Sequence, residues 1–253
     1  MKDTRARVIS NQEVAQDTYL MILECNLPSS VPGQFVMVKI DETSCDPFLR
    51  RPIAILRQGD NSIELLYKVR GAGTLELSRK NSGGILSVLG PLGNGFSLSE
   101  RNGTIIYVAG GTGLPPILAL AERIRRGYLI VGARTRADIP LWKRMEGISG
   151  IKALAMTEDG SFGRKGMATD ALAELTTQDP SPCIIYACGP AGMLKAVSEQ
   201  ARRIRARCQV SLEERMACGF GVCSACTVKT SEGSKRVCVQ GPVFEADLVE
   251  WGA

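Results

Sequence analysis

Short, mainly apolar stretches of strand type stand at 18–23, 34–40 and 63–69 in the first hundred residues, and Gly, Pro, Asn and Asp turns separate them. Short strands punctuated by turns predict a small antiparallel barrel. From Thr104 the pattern changes. Apolar runs at 105–109, 128–133, 151–156 and 184–188 take turns with segments of helical period at 116–126, 141–145, 169–175 and 192–206. Strand and helix in alternation predict a parallel, doubly wound sheet. In the last helix Met193, Val197, Ala201 and Ile204 recur at helical spacing and read as a core stripe. The expected fold class is multi-domain: an antiparallel β-barrel over 1–100, an α/β parallel-sheet domain over 101–211, and a small C-terminal domain over 212–253.

Composition narrows the chemistry. With 253 residues and 44% hydrophobic content, the chain can bury more than one core. No apolar run is long enough to span a bilayer and the opening MKDTRARVISNQEV has no hydrophobic signal core, so a cytoplasmic protein with no membrane partner is expected. There is no histidine. That excludes Rieske ligation, imidazole acid–base catalysis, Ser-His-Asp triads and His-containing zinc centres, and leaves the chemistry to cofactors. The net charge of +5 is modest, and the dense basic run Arg202-Arg203-Ile204-Arg205-Ala206-Arg207 is expected at a helix end, where it complements the dipole. A solvated helix end is a better reading of it than an acidic partner or nucleic acid.

Nine cysteines in a reducing compartment read as metal ligands rather than disulfides. Cys25, Cys45, Cys183 and Cys208 are expected to be buried small hydrophobes. Four others fall as Cys218-x4-Cys223-x2-Cys226-x11-Cys238 in the stretch ACGFGVCSACTVKTSEGSKRVC. The first three keep the plant-type ferredoxin spacing, in which a tight loop aims thiolates at two irons and a later cysteine closes the shell. This predicts a 2Fe–2S cluster and one-electron transfer. Gly219 and Gly221 suit a loop that needs positive φ and close approach of backbone N–H groups to sulfur. Tetrahedral zinc is the alternative, although zinc loops usually pair their cysteines in two short hairpins, and here three are bunched and one is distant.

The parallel sheet makes an offer at its first strand-to-helix turn, where Gly110-Gly111-Thr112-Gly113 precedes Leu114-Pro115-Pro116. Glycines at the carboxyl end of a strand let a phosphate approach the backbone, and the next helix supplies free N–H groups. Glycines also serve plain tight turns, so position carries the assignment: the turn follows a clear strand and opens a Pro-started helix. Cys188-Gly189-Pro190 ends the last sheet strand at the same edge, and Cys188 is either a core thiol or a pocket wall.

These features sit among others in a fixed order: Leu49-Arg50-Arg51-Pro52-Ile53-Ala54, then Tyr67-Lys68-Val69 with Gly71-Ala72-Gly73-Thr74, then Gly90-Pro91-Leu92-Gly93-Asn94-Gly95-Phe96, Glu158-Asp159-Gly160-Ser161-Phe162-Gly163 and Ser211-Leu212-Glu213. Together they resemble the electron-transfer subunit of class 1B dihydroorotate dehydrogenase, within the ferredoxin reductase superfamily, over nearly the whole chain. The resemblance implies FAD on the barrel, a nicotinamide nucleotide on the parallel domain and the 2Fe–2S cluster on the C-terminal loop. It places Arg51 at the FAD pyrophosphate, Pro52, Ile53 and Ala54 along the isoalloxazine, Leu66, Tyr67 and Lys68 at the flavin's nucleotide part, and Gly73 and Thr74 at phosphate. It implies a relay in which electrons pass between NAD(H), FAD and the cluster, with an FMN-containing dihydroorotate dehydrogenase catalytic subunit as partner in a hetero-oligomer, by resemblance a heterotetramer, in pyrimidine biosynthesis.

Ala54 departs from the family pattern, which has a Ser or Thr there, and the gap of eleven before Cys238 is short, which should trim a hairpin rather than lose a ligand. The loop 132–138 is expected at the adenosine ribose: an acidic group would favour NAD, and Arg134 and Arg136 would suit a 2′-phosphate. Phe220 and Val222, beside the ligands, read equally as shielding of the cluster or as partner contact. Other readings stay open: a matching subunit of an NADH-dependent ferredoxin:NADP oxidoreductase or of a sulfite or sulfur reductase, an oxygenase reductase, whose ferredoxin part needs more chain than the tail here provides, and a non-catalytic flavoprotein with structural zinc.

Overall fold

The computed structural model describes residues 1–40, 46–98, 103–178 and 181–252. Six strands close an antiparallel barrel: β1 (Lys2–Ala15), β2 (Thr18–Glu24), β3 (Phe35–Lys39), β4 (Arg51–Gly59), β5 (Ser62–Lys68) and, after helix α1 (Ala72–Ser78), β6 (Ile85–Leu92), in the order β1-β2-β5-β4-β3-β6. The predicted strands β2, β3 and β5 form, with Met21, Leu23, Val36, Val38, Ile63 and Leu65 in the barrel core, while Phe35 and Met37 of β3 are buried on its other face. β1 escapes the pattern because only Ala6 and Val8 of its fourteen residues are buried. Its irregularities at Val8/Ser10 and Glu13/Ala15 let one strand serve two partners, β6 with its first half and β2 with its second.

The second half is the doubly wound sheet. Its elements are β7 (Thr104–Gly110), α2 (Leu114–Ile124), β8 (Gly127–Ala133), α3 (Trp142–Glu146), β9 (Ile151–Thr157), the short β10 (Arg164–Lys165), α4 (Ala168–Gln178), β11 (Cys183–Cys188), α5 (Ala191–Arg203) and β12 (Arg207–Ser211). Strand order is β10-β9-β8-β7-β11-β12, all parallel. The cysteine segment supplies the hairpin β13 (Thr227–Thr230) and β14 (Gly233–Arg236), and then β15 (Val243–Glu245), which joins the nucleotide sheet antiparallel to β12. The segment after 211 is therefore stitched into the sheet before it.

Three cores hold this together. One fills the barrel. A second joins Leu56, Leu66 and Phe96 of the barrel region to α2 and one face of the sheet. A third joins Phe35, Met37 and Leu92 of the barrel to α4, α5, Cys226 and Cys238.

Some expectations change. Helix α5 stops at Arg203, Arg205 takes a left-handed φ of 56° and Arg207 opens β12, where it is paired with Glu245 at 2.7 Å, so the basic run is divided between a helix end and a strand. The stripe shifts with it: Leu194, Val197 and Ala201 are buried, whereas Ile204 is past the helix end and exposed. Cys25 and Cys208 are buried as expected, Cys183 is half-buried at a strand start, and Cys45 lies outside the described residues. Among the described residues no helix is long and apolar enough to cross a membrane.

Candidate functional site: two joined clefts and a cysteine loop

At the carboxyl end of the sheet, β7 runs into the glycine turn. Gly113 is fixed by close approach, since a Cβ there would sit 2.3 Å from the carbonyl carbon and oxygen of Cys188. Gly110 and Gly189 likewise meet Met193, so the glycines of both predicted turns lock β7 to β11. Gly111 has φ of 54° and nothing within 4 Å of its Cβ direction, which leaves its backbone open to a cleft of about 550 Å³. Thr112, Pro190 and Met193 line the same cleft. Met193 thus packs against the core and also forms part of the pocket wall, because α5 begins at the cleft mouth.

The loop after β8 meets this cleft in part. Arg134 lines it, as does Glu158 from the end of β9. Asp138 also borders it but is held by Lys68 of β5 at 2.7 Å, and this hydrogen bond keeps its carboxyl below the usual carboxylate range. Arg136 is turned onto the Phe162 ring, 4.4 Å from its centroid, and donates to the Ile139 carbonyl. Of the charges expected at the adenosine ribose, only Arg134 is free to face the cleft.

A second cleft of about 520 Å³ lies between the barrel and the sheet. Pro52, Ile53 and Ala54 of β4 form one wall, with Ile53 buried in the barrel so that its backbone faces outward. Leu66, Tyr67 and Lys68 of β5 border it, although the Tyr67 hydroxyl turns inward and donates to Asn11 Oδ1 at 2.9 Å. Arg51, at the start of β4, spans the first turn of α1: a Cβ on Gly73 would lie 2.1 Å from its Nε, so glycine leaves the cradle in which the guanidinium rests. Arg51 also donates to the Leu49 carbonyl. The Thr74 hydroxyl accepts from the Arg70 N–H at 2.8 Å and so caps α1. An arginine above a helix start, beside a cleft with an apolar strand wall, fits a flavin dinucleotide.

Cys188 is buried at the cleft wall, where burial pushes its thiol up and the Glu213 carboxylate adds to the effect. Glu213 itself reaches the cleft and accepts from the Thr112 hydroxyl at 3.2 Å. Enclosure raises its carboxyl pKa, against the lowering by that hydrogen bond and by Arg70. The sequence pattern gives Arg70 and Met216 no site role, and Glu213 only a place in a motif, since their position at the cleft depends on the packing of distant segments. Ala54 presents no hydroxyl to the cleft. The two clefts share Leu66, Lys68, Arg70, Thr112, Pro115 and Pro190, and so meet.

Met216 lines the second cleft, and Cys218 follows two residues later. The loop 218–226 bends at Gly219 (φ 81°), Gly221 (φ 91°) and Ser224 (φ 58°). The Cys223 N–H donates to Cys218 Sγ and the Cys238 N–H to Cys226 Sγ, each at 3.5 Å. The β13–β14 hairpin takes up the gap of eleven and returns Cys238 beside Cys226, fastened by the Val237 N–H on the Cys226 carbonyl at 3.0 Å. Burial opposes ionisation of Cys218, yet donors from Cys223, Phe220 and Val222 bring its thiol down to about 6. Burial and the neighbouring Cys226 push Cys238 up to about 12. Backbone donors aimed at sulfur are what a cluster with negative sulfurs requires. Among the described residues no three such side chains converge on a point that would hold a single metal ion. Cys226 and Cys238 are buried, and Cys223 is exposed.

Comparison with known proteins agrees with this layout. Residues 213–250 match the iron-sulfur cluster binding domain of dihydroorotate dehydrogenase B, and residues 107–199 match the oxidoreductase NAD-binding domain. A solved structure of an NADH-dependent reduced ferredoxin-NADP oxidoreductase superposes with a TM-score of 0.87 at 29% identity, covering 97% of this chain and 90% of that one. The cytochrome P450 reductase GcoB of Amycolatopsis shares the fold over 81% of this chain and 66% of its own, with a TM-score of 0.67 at 24% identity. The chain is thus an oxidoreductase subunit of ferredoxin reductase-like fold, whose cofactors are FAD, NAD and a 2Fe–2S cluster. Curated relatives from Caldanaerobacter subterraneus subsp. tengcongensis (38% identical, 97% of each chain) and Geobacillus thermodenitrificans (40% identical, 97% of each chain) are both dihydroorotate dehydrogenase B (NAD(+)), electron transfer subunit. The chain belongs to that family.

Proposed function

We propose that this chain carries electrons between NAD(H) and a dihydroorotate dehydrogenase catalytic subunit that contains FMN, in a cytoplasmic hetero-oligomer. The observation that carries this reading is the contiguity of the site: the nucleotide cleft opens into the second cleft, and Met216 leads from that cleft to Cys218 in two residues. FAD, when bound, exchanges a hydride with the nicotinamide and single electrons with the cluster. Arg51, over Gly73, holds the pyrophosphate, and the backbone of residues 52–54 lies along the flavin ring. Gly111 and Thr112 hold the nicotinamide nucleotide's phosphates. Cys218, Cys223, Cys226 and Cys238 ligate the irons. Phe220 and Val222 are 46% and 75% exposed, as are Phe48 at 70% and Leu49 at 45% near the second cleft's rim, which favours partner contact over shielding.

The test is replacement of each ligand cysteine by Ser in anaerobically purified protein. Each variant is expected to lose iron and acid-labile sulfide, to keep FAD, and to fail in electron transfer to the catalytic subunit. Full iron and sulfide in all four would overturn the cluster assignment. Phe220→Asp is expected to weaken association with the catalytic subunit while the visible spectrum of the cluster persists. The structure of the NADH-dependent reduced ferredoxin-NADP oxidoreductase supports a second reading with another partner, and recovery of that kind of partner instead of a dihydroorotate dehydrogenase would favour it.

A further inference from the structure

The loop that carries Cys218 and Cys223 is gripped from outside by one side chain. Arg236, half-buried at the end of β14, donates from Nη1 to the carbonyl of the buried Gly221. The backbone of Arg236 is itself fixed: its N–H donates to Gln240 Oε1 at 2.9 Å, and its carbonyl accepts from the N–H groups of Val239 and Gln240 at 3.0 and 2.9 Å. Asn94, just after β6, holds that turn to the barrel, its side-chain amide donating to the carbonyls of Val239 and Gln240 at 3.1 Å each. The guanidinium thus reaches the loop from a rigid base that also contains Cys238.

Which atom it grips matters. In a planar trans peptide the C=O and the N–H point opposite ways. The Gly221 carbonyl and the Val222 N–H belong to one such unit, so drawing the carbonyl toward Arg236 turns the Val222 N–H to the other side, where it is one of the donors to Cys218 Sγ. Across the Gly221 Cα, the N–H of Gly221 is a donor to Cys238. Gly221 stands at φ of 91°, and a Cβ there would lie 2.5 Å from Val239 Cγ2, so only glycine lets the loop serve both sulfurs this close to the turn.

We propose that Arg236 is a positioning residue of the cysteine loop: by holding the Gly221 carbonyl it aims the Val222 N–H at Cys218 Sγ, and so raises the reduction potential of the 2Fe–2S cluster. The proposal rests on the reading of the four cysteines as ligands to the irons. Donors to sulfur stabilise a cluster more once it has gained an electron, because the sulfurs then carry more negative charge, and a nearby guanidinium acts in the same direction.

Iron and sulfide analysis and an EPR-monitored redox titration of FAD-loaded protein, purified anaerobically, test this on Arg236→Gln and Arg236→Lys. Arg236→Gln is expected to keep full iron and sulfide with a potential lowered by at least about 59 mV, a tenfold loss in the reduced-to-oxidised ratio for one electron. Arg236→Lys can still donate one bond to the carbonyl and should recover more than half of that shift, but not all. The shift in Arg236→Gln should persist in about 1 M salt, where the Debye length is about 3 Å and an effect of charge alone would fade. An unchanged potential in Arg236→Gln overturns the proposal, as does a shift that salt abolishes or that lysine does not relieve. Where Arg236→Gln fails to hold the cluster, Arg236→Lys decides: full iron with a potential below that of wild type supports the proposal, and loss of iron or a wild-type potential overturns it. Full iron in the Ser variants of all four cysteines would instead overturn the ligand reading beneath it.

Discussion

Single atoms decide much of this site. Gly73 is the clearest case, because the space a Cβ would occupy holds the Arg51 guanidinium. Gly73→Ala is expected to push Arg51 aside and weaken FAD binding at least tenfold, measured by flavin fluorescence on release. Gly71, two residues earlier, has nothing within 4 Å of its Cβ direction and an extended φ of −176°, so Gly71→Ala should retain flavin. Gly113 offers a stability counterpart. There a methyl group would meet the backbone of Cys188, which cannot rotate away, and Gly113→Ala should cost about 3 kcal/mol in urea unfolding.

At the scale of elements, what matters is how the turn after β8 is tied to the barrel. The Lys68–Asp138 bridge at 2.7 Å and the Gln16 N–H on the Ala137 carbonyl at 3.0 Å hold that turn against β5 and the β1–β2 turn. Both charged side chains are largely buried, so the bridge should contribute about 1 kcal/mol, at the upper end for such pairs. Asp138 has a lowered pKa in the folded protein, so it binds fewer protons folded than unfolded, and its stabilisation is present above its ordinary value of 3.8 and lost as pH falls through the folded value. The stability difference between wild type and Asp138→Asn is accordingly expected to be fully present near pH 7 and to close below pH 3.8. A difference that stayed constant down to pH 2 would show that the bridge is not its source.

Across the whole molecule, Arg144 of α3 joins the two large units. Its guanidinium reaches Glu122 of α2 and Glu64 of β5, each at 2.5 Å. Removing it would leave the part-buried Glu122 carboxylate unpaired and Glu64 with only Arg57 at 4.0 Å, and Arg144→Ala should cost about 3 kcal/mol. Adding Glu64→Gln and Glu122→Gln should recover most of that loss in thermal unfolding. With FAD in the cleft between the units, as proposed above, Arg144→Ala should also release it more readily, although Arg144 lies outside that cleft.

Apolar runs and helical periodicity by themselves determined the barrel strands β2, β3 and β5 and the succession from β7 to α5, apart from the two-residue β10, because burial imposes such patterns on strands and helices, whereas β12 was hidden in the basic run that follows α5. Local spacing likewise determined the cysteine loop and the glycine turn, since the ligands and the backbone bends lie within a few residues of one another. Tertiary structure alone decided the rest. β1 is a strand because partners on both sides satisfy its backbone, with few apolar residues to announce it. Met193 faces a cleft, Glu213 meets Thr112, Asp138 is claimed by Lys68, and β15 completes a sheet begun over a hundred residues earlier. Each of these depends on contacts between segments far apart in the chain, and a one-dimensional pattern carries no record of which distant residue will arrive beside which.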